Sequence, residues 1–193
     1  MAQQNDIAHD LGRDLARIAI FAALIAVLGM VTVPMPWGVP ITAQTLGVML
    51  AGAVLGPRRG VLAVLLVLAL AAIGLPVLAG GRGGIGVFLG PTAGYLIGWI
   101  AGALVVGLIV QHGRISWWRT ATGCVVGGIL AVYAFGIPVQ AWVTGLGLGP
   151  TALSSLVFLP GDLLKAAAAT ALTMALHRAY PPAFGVRCES HAL

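Results

Sequence analysis

The sequence predicts an all-α integral membrane protein, a single domain over residues 1–193 built from six membrane-spanning helices. Three observations predict it. The chain is 60% hydrophobic and only 8% charged, with a mean hydropathy of +1.04, whereas soluble domains carry roughly 25% charged residues. Its apolar residues form continuous runs without the alternation that a closed β-barrel requires. Arginines recur in every second gap between those runs.

Taken in order, residues 1–15 are a polar, charged lead, followed by apolar runs near 16–33, 41–56, 60–75, 91–110, 120–138 and 161–178. The first run is long enough to span and follows a charged lead, so no cleavable signal peptide is expected. Several runs fall short of the ~20 residues of an upright span, which predicts bent helices or helices that begin within the interface. Orientation follows from the basic residues. Arg13 and Arg17 precede the first run, Arg58 and Arg59 lie between the second and third, and Arg114 and Arg119 lie between the fourth and fifth. Arg178 and Arg187 follow the sixth, in the tail 179–193. An even number of spans puts these eight on one side and leaves Arg82 alone on the other, so both termini are expected in the cytoplasm.

The outer loops are then 34–40, 76–90 and 139–160, all rich in Pro and Gly. Leu-Pro-Val-Leu-Ala (75–79) leads to Leu-Gly-Pro-Thr-Ala (89–93), and Ile-Pro-Val-Gln-Ala (137–141) leads to the same five residues at 148–152. This weak echo suggests that spans 3–4 and 5–6 are related hairpins.

Several functions are excluded. A net charge of +5 is spread between apolar runs without a basic stripe, so nucleic acid is not an expected partner. Cys124 and Cys188 are too far apart for a CxxC or zinc site, and His9, His112, His177 and His191 are scattered singly; no metal or cofactor is expected. Residues 81–86 formally match GxGxxG but lack a strand–turn–helix setting, and no GxxxxGK[ST] occurs, so the chain should not hydrolyse ATP itself. The glycines of this loop make either a tight irregular connection or a lid whose backbone approaches a ligand closely.

Small residues recur every four positions within the runs: Gly94, Gly98 and Gly102; Gly52 and Gly56; Gly123 and Gly127. Such ridges let helix backbones approach each other in lipid. Span 1 carries two overlapping rows, Ala19/Ala23 and Ala22/Ala26, able to pack internally or to dock a partner. The oligomeric state stays open, a homo-oligomer included.

The most informative residues are Asp162 and Lys165. Lys165 is the only lysine, and Asp162 is the only acidic residue between Asp14 and Glu189. Each charge costs roughly 2.5–3.5 kcal/mol at a helix centre, less near the interface. Three residues apart, they share a helix face and can pair. Pro160 is consistent with a helix start just before them, and Asp162 then meets the positive end of the helix dipole. Either Lys165 snorkels to the outer interface with Asp162 as counter-ion, or the pair grips a polar head group while apolar helices bury the remainder of a ligand. Thr42, Gln44 and Tyr95 sit at similar predicted depth. Trp37, Phe88 and Trp142 in the outer loops supply apolar walls or interface anchors.

Three blocks also carry a resemblance: residues 40–60 (PITAQTLGVMLAGAVLGPRRG), 72–98 (AIGLPVLAGGRGGIGVFLGPTAGYLIG) and 158–169 (FLPGDLLKAAAA). Together, over about residues 13–178, the chain resembles the BioY family, the biotin-specific S components of prokaryotic energy-coupling factor (ECF) transporters. The resemblance implies a six-helix S-component bundle in the cytoplasmic membrane, with an outward-facing vitamin pocket near the outer helix ends. It implies as partners biotin, a transmembrane coupling protein and a pair of cytoplasmic ATPases, with membrane lipid around the bundle. The alanines of span 1 (Ala19, Ala22, Ala23, Ala26) look like the family's docking motif, in either register. The Asp and Lys of the family's PGDxxK element carry over to Asp162 and Lys165, which in the family contact biotin; Thr42, Gln44 and Tyr95 match family positions.

Arg82 departs from the smaller residues expected in that loop, and either meets the biotin carboxylate or is a solvated loop charge; Gly83 beside it is a further candidate contact. In this reading Asp162 accepts from a ureido N–H, Lys165 donates to the carbonyl or carboxylate, and loop 76–90 closes over the pocket. Three rivals remain at this point: an S component for another vitamin, an ion-coupled carrier in which Asp162 cycles a proton, and a Schiff base at Lys165. No nucleophile–base set is present, so enzyme activity is not expected.

Overall fold

The computed structural model describes residues 2–33, 39–181 and 184, with backbone alone for residues 2–10. Trp37, Arg187, Cys188 and His191, and most of the expected outer loop 34–40, lie outside the described residues, as does the side chain of His9.

Nearly every element is helical. Helix α1 (Ala2–Leu28) includes the charged lead, which continues the first apolar run as one helix. A two-residue strand β1 (Thr32–Val33) pairs antiparallel with β2 (Ile41–Thr42), Thr32 opposite Thr42, and feeds α2 (Gln44–Leu50). That small β ladder is a difference from the all-helical expectation. It satisfies backbone groups where the chain leaves α1 and returns to α2.

Helix α2 passes into a π-helical segment, Ala51–Leu55, and then α3 (Gly56–Ala72) begins. No loop separates the second and third expected spans: the chain reverses at Gly56, with φ +84° and ψ 179°. This region of φ/ψ is open essentially to glycine alone. The reversal is tight enough that a Cβ on Gly60 would lie 2.8 Å from the Ala51 carbonyl oxygen. Arg58 and Arg59, expected in a connecting loop, belong to the first turn of α3, and Arg59 pairs with Asp14 of α1 at 2.7 Å. Gln111, at the far end of α4 (Ala93–Gln111), donates to the Ala53 and Val54 carbonyls at 3.2 and 2.9 Å. These contacts gather the arginine-bearing helix ends at one end of the bundle.

Helix α5 (Trp117–Val125), capped by Ser116, passes through a second π-helical segment (Val126–Ala131) into α6 (Val132–Thr144). Helix α7 (Leu148–Ser155) runs through a 3₁₀ turn, Leu156–Phe158, into α8 (Leu159–Ala179). The expected irregular loop 139–160 is therefore mostly helical. Its prolines do not prevent this: Pro150 and Pro160 sit in first turns, where a missing N–H leaves no bond unmade. Loop 76–90 is irregular as expected, with short 3₁₀ turns at Ala79–Gly81 and Ile85–Phe88. The two copies of the echo differ in local structure: residues 76–79 belong to this loop, whereas Ile137–Ala141 lies within α6.

Among the described residues, four stretches are long and apolar enough to cross a membrane: Gln44–Ala72, Ala93–Gln111, Trp117–Thr144 and Leu148–Ala179. The first contains the reversal at Gly56. Helix α4 is the central packing element, against α3 on one side and α6 on the other. Its small-residue ridge makes the contact on the α6 side, because Cβ atoms on Gly98 and Gly102 would lie 2.8 and 2.9 Å from the carbonyl oxygens of Val132 in α6 and Gly127 in the π-helical segment before it. The expected intramolecular role of this ridge is observed.

Candidate functional site

At the end of the bundle remote from the Asp14–Arg59 pair lies a cavity that is partly open to the outside. Its apolar walls come from Ile41, Leu78, Leu96, Trp99, Val132 and Phe158, contributed by β2, loop 76–90, α4, α6 and the turn before α8. Six candidate residues converge on it: Thr42, Gln44, Arg82, Tyr95, Asp162 and Lys165. Residues separated by more than one hundred positions meet here because α2, α4 and α8 end at the same level.

Helix α8 places the charged pair. Leu163 and Leu164 face outward, 47% and 72% exposed, while Asp162, Ala166 and Ala169 face the interior. The face that carries Asp162 also carries Lys165, so both side chains line the cavity. Lys165 Nζ donates to Asp162 Oδ1 at 2.8 Å, and the side chains are 15% and 8% exposed. Tyr133 donates its hydroxyl to Asp162 Oδ2 at 2.6 Å. Both carboxylate oxygens thus have a charged or hydroxyl donor, the arrangement a carboxylate needs away from water.

Tyr95 stands edge-on to Tyr133, with ring centroids 6.3 Å apart at 82°. Its hydroxyl donates to Gln140 Oε1 at 2.8 Å and lies 3.2 Å from Ser155 Oγ. Tyr95 therefore ties α4 to α6 and α7 at the cavity rim. Thr42 lines the cavity and accepts the backbone N–H of Gln44 at 3.3 Å, a bond that helps start α2. Gln44 is buried and donates to the Ile25 and Val77 carbonyls.

Arg82 is exposed at the rim, its Nε donating to the Ala79 carbonyl at 3.1 Å. Gly83 does not line the cavity and packs against the Leu75 carbonyl. Phe88 and Trp142 share a separate shallow groove outside the cavity, and Trp142 is 84% exposed. Of the alanine rows in α1, Ala22 is buried beside Ile18 and Ile25, while Ala19 and Ala23 face outward.

Sequence reasoning missed Tyr133, Thr45, Gln140 and Ser155. A signal existed for two of them, since Tyr133 and Gln140 interrupt otherwise apolar helix sequence. Among the described residues no group of three or more His, Cys, Asp or Glu could hold a metal ion.

An amphiphilic cavity, apolar on its walls and ionised at one edge, set among helices long enough to span lipid, defines a multi-pass membrane protein that holds a small solute. The family model described as BioY family matches residues 2–182, and the chain belongs to that family. It is 50% identical over 179 residues to the biotin transporter BioY of Rhizobium etli, covering 88% of this chain and 95% of that protein. Against the biotin transporter BioY of Rhodobacter capsulatus the identity is 54%, over 79% of this chain and 87% of the relative. The fold superposes on the crystal structure of the S-component for biotin from an ECF-type ABC transporter with TM-score 0.83 and 33% identity, covering 88% and 93% of the two chains.

Proposed function

We propose that the protein is the biotin-binding S component of an ECF-type importer, a transport subunit and not an enzyme. It crosses the prokaryotic cytoplasmic membrane six times, with α2 and α3 as separate spans joined at Gly56 and both termini in the cytoplasm. The observation that carries the reading is the Asp162–Lys165 pair, held inside an apolar cavity and not turned to lipid. A cyclic urea with two N–H donors and one C=O, attached to an apolar bicycle and chain, matches that mixture of groups. In this reading the pair meets the ureido ring, Arg82 at the rim meets the carboxylate, and loop 76–90 closes the entrance.

Hydrolysis of ATP belongs to partner ATPases coupled through a transmembrane protein. The outward register of α1, Ala19 and Ala23, docks that coupling protein, because small side chains allow close helix approach. Native mass spectrometry of protein purified without added ligand, followed by competition of labelled biotin against a vitamin panel, tests the assignment. Co-purified biotin and competition by biotin alone are expected; displacement by a different vitamin would reassign the substrate.

A further inference from the structure

Two residues that line the cavity each carry a buried side-chain oxygen with no hydrogen-bond partner among the described residues: Gln44 Oε1 and Thr45 Oγ1. They belong to consecutive residues in the first turn of α2. The other half of the Gln44 amide is fully engaged. Its Nε2 donates to the Ile25 carbonyl in α1 at 3.3 Å and to the Val77 carbonyl in loop 76–90 at 3.0 Å. Turning the amide over would set Oε1 against two carbonyl oxygens, acceptor against acceptor, so the chemistry decides its orientation. Gln44 is 1% exposed. A Cβ on Gly29 would lie 2.7 Å from Nε2, so the side chain is seated where only glycine leaves room. The Asp162 oxygens, by contrast, already hold the Tyr133 and Lys165 donors.

We propose that Gln44 Oε1 and Thr45 Oγ1 form an acceptor subsite for ring N–H groups of the ligand, and that Gln44 transmits occupancy of this subsite to loop 76–90. The proposal rests on the biotin reading above, since the cyclic urea supplies the two N–H donors. A donor arriving at Oε1 polarises the amide and strengthens its Nε2–H as a donor to Val77. Ligand recognition and the seating of the loop then share one side chain. Asp162 acts mainly by holding Lys165, whose remaining N–H groups face the ligand's oxygen.

The test uses the full chain in detergent, with labelled biotin and the two mono-N-methylbiotins, in each of which one ureido N–H is replaced. Wild type should bind biotin and reject at least one N-methyl analogue by about a hundredfold or more, as sites built around a ligand N–H do. Thr45→Val, which keeps shape and removes the hydroxyl, and Gln44→Met should each weaken biotin binding about five- to tenfold. Both should narrow the discrimination against the methylated ligand. Hydrogen exchange of the amides in 76–90 separates the two roles: saturating biotin should slow it in wild type and Thr45→Val, and not in Gln44→Met. Should Gln44→Met fail to fold, judged by its melting curve, Thr45→Val still decides the subsite and Gln44→Glu replaces it for the loop measurement. Wild type that ignores biotin overturns the functional reading itself. Wild type that binds biotin, with variants that keep full affinity and discrimination, overturns the subsite. Equal slowing of loop exchange in the Gln44 variant overturns the coupling.

Discussion

The Tyr133 hydroxyl lies 2.6 Å from Asp162 Oδ2, joining α6 to the first turn of α8 across the cavity wall. Hydrogen bonds to an ionised acceptor are worth about 1.5–3 kcal/mol, and this one fixes the carboxylate that in turn fixes Lys165. Tyr133→Phe keeps the ring and its edge contact with Tyr95 while removing the donor. Equilibrium binding of labelled biotin should weaken by about tenfold, near 1.4 kcal/mol. Unchanged affinity would show that the pair needs no support from α6.

Breaking the ion pair should cost stability, whereas replacing both charges should not. Asp162→Leu leaves the Lys165 ammonium without its counter-ion in a mostly buried position, a loss of about 3 kcal/mol. The double variant Asp162→Leu, Lys165→Met removes both charges, and its melting temperature should return to near that of wild type. Neither variant should bind biotin. Recovered stability without recovered binding would separate the pair's role in recognition from any role in folding.

Gly56 carries the reversal between α2 and α3, and its conformation is one that side chains avoid. A Cβ there would also meet the Gln111 amide, which caps the Ala53 and Val54 carbonyls. Gly56→Ala should destabilise the protein by about 1–3 kcal/mol, measured by thermal unfolding in detergent. The effect on biotin affinity at low temperature should be small, because the cavity lies at the other end of the bundle.

The two alanine registers of α1 should respond differently to enlargement. Ala22 is 3% exposed and packed against the core, so Ala22→Leu should overpack it by about 1–3 kcal/mol. Ala23 faces outward, and Ala23→Leu should leave melting and biotin binding unchanged. Co-purification with the coupling protein should be lost in Ala23→Leu if this register docks. An intact complex would assign docking to another surface.

The Asp162–Lys165 pair was legible in the sequence because charge is scarce in it: one lysine and one mid-chain acid cannot be overlooked in a chain with 8% charged residues. The helical character of the apolar runs was legible too, as long apolar runs have no other stable form in lipid. Loop 139–160 was misjudged because its Pro and Gly content signals turns, yet three of its prolines and glycines fall at first turns and a C-cap, Gly145, where they suit helices. Tyr133 and Thr45 were passed over since a single Tyr or Thr in an apolar run is ordinary, and only its neighbours across the bundle give it a task.

By itself, then, the amino-acid order determined that the chain lives in a membrane, that its long apolar runs are helical, and which two charges demand an explanation. Those are properties of composition and local periodicity, and they do not depend on what packs against what. Only the tertiary structure decided that the pair faces a cavity, that Tyr133 holds its carboxylate, that Ala22 points inward and Ala23 outward, and that Gln44 and Thr45 keep acceptors unpaired among the described residues. These depend on rotation of each helix about its axis and on contacts between residues far apart in the chain, such as Gln44 with Val77 and Tyr133 with Asp162. Packing sets that rotation: glycine ridges bring backbones together, and the polar atoms left over fall where the helices diverge around the cavity.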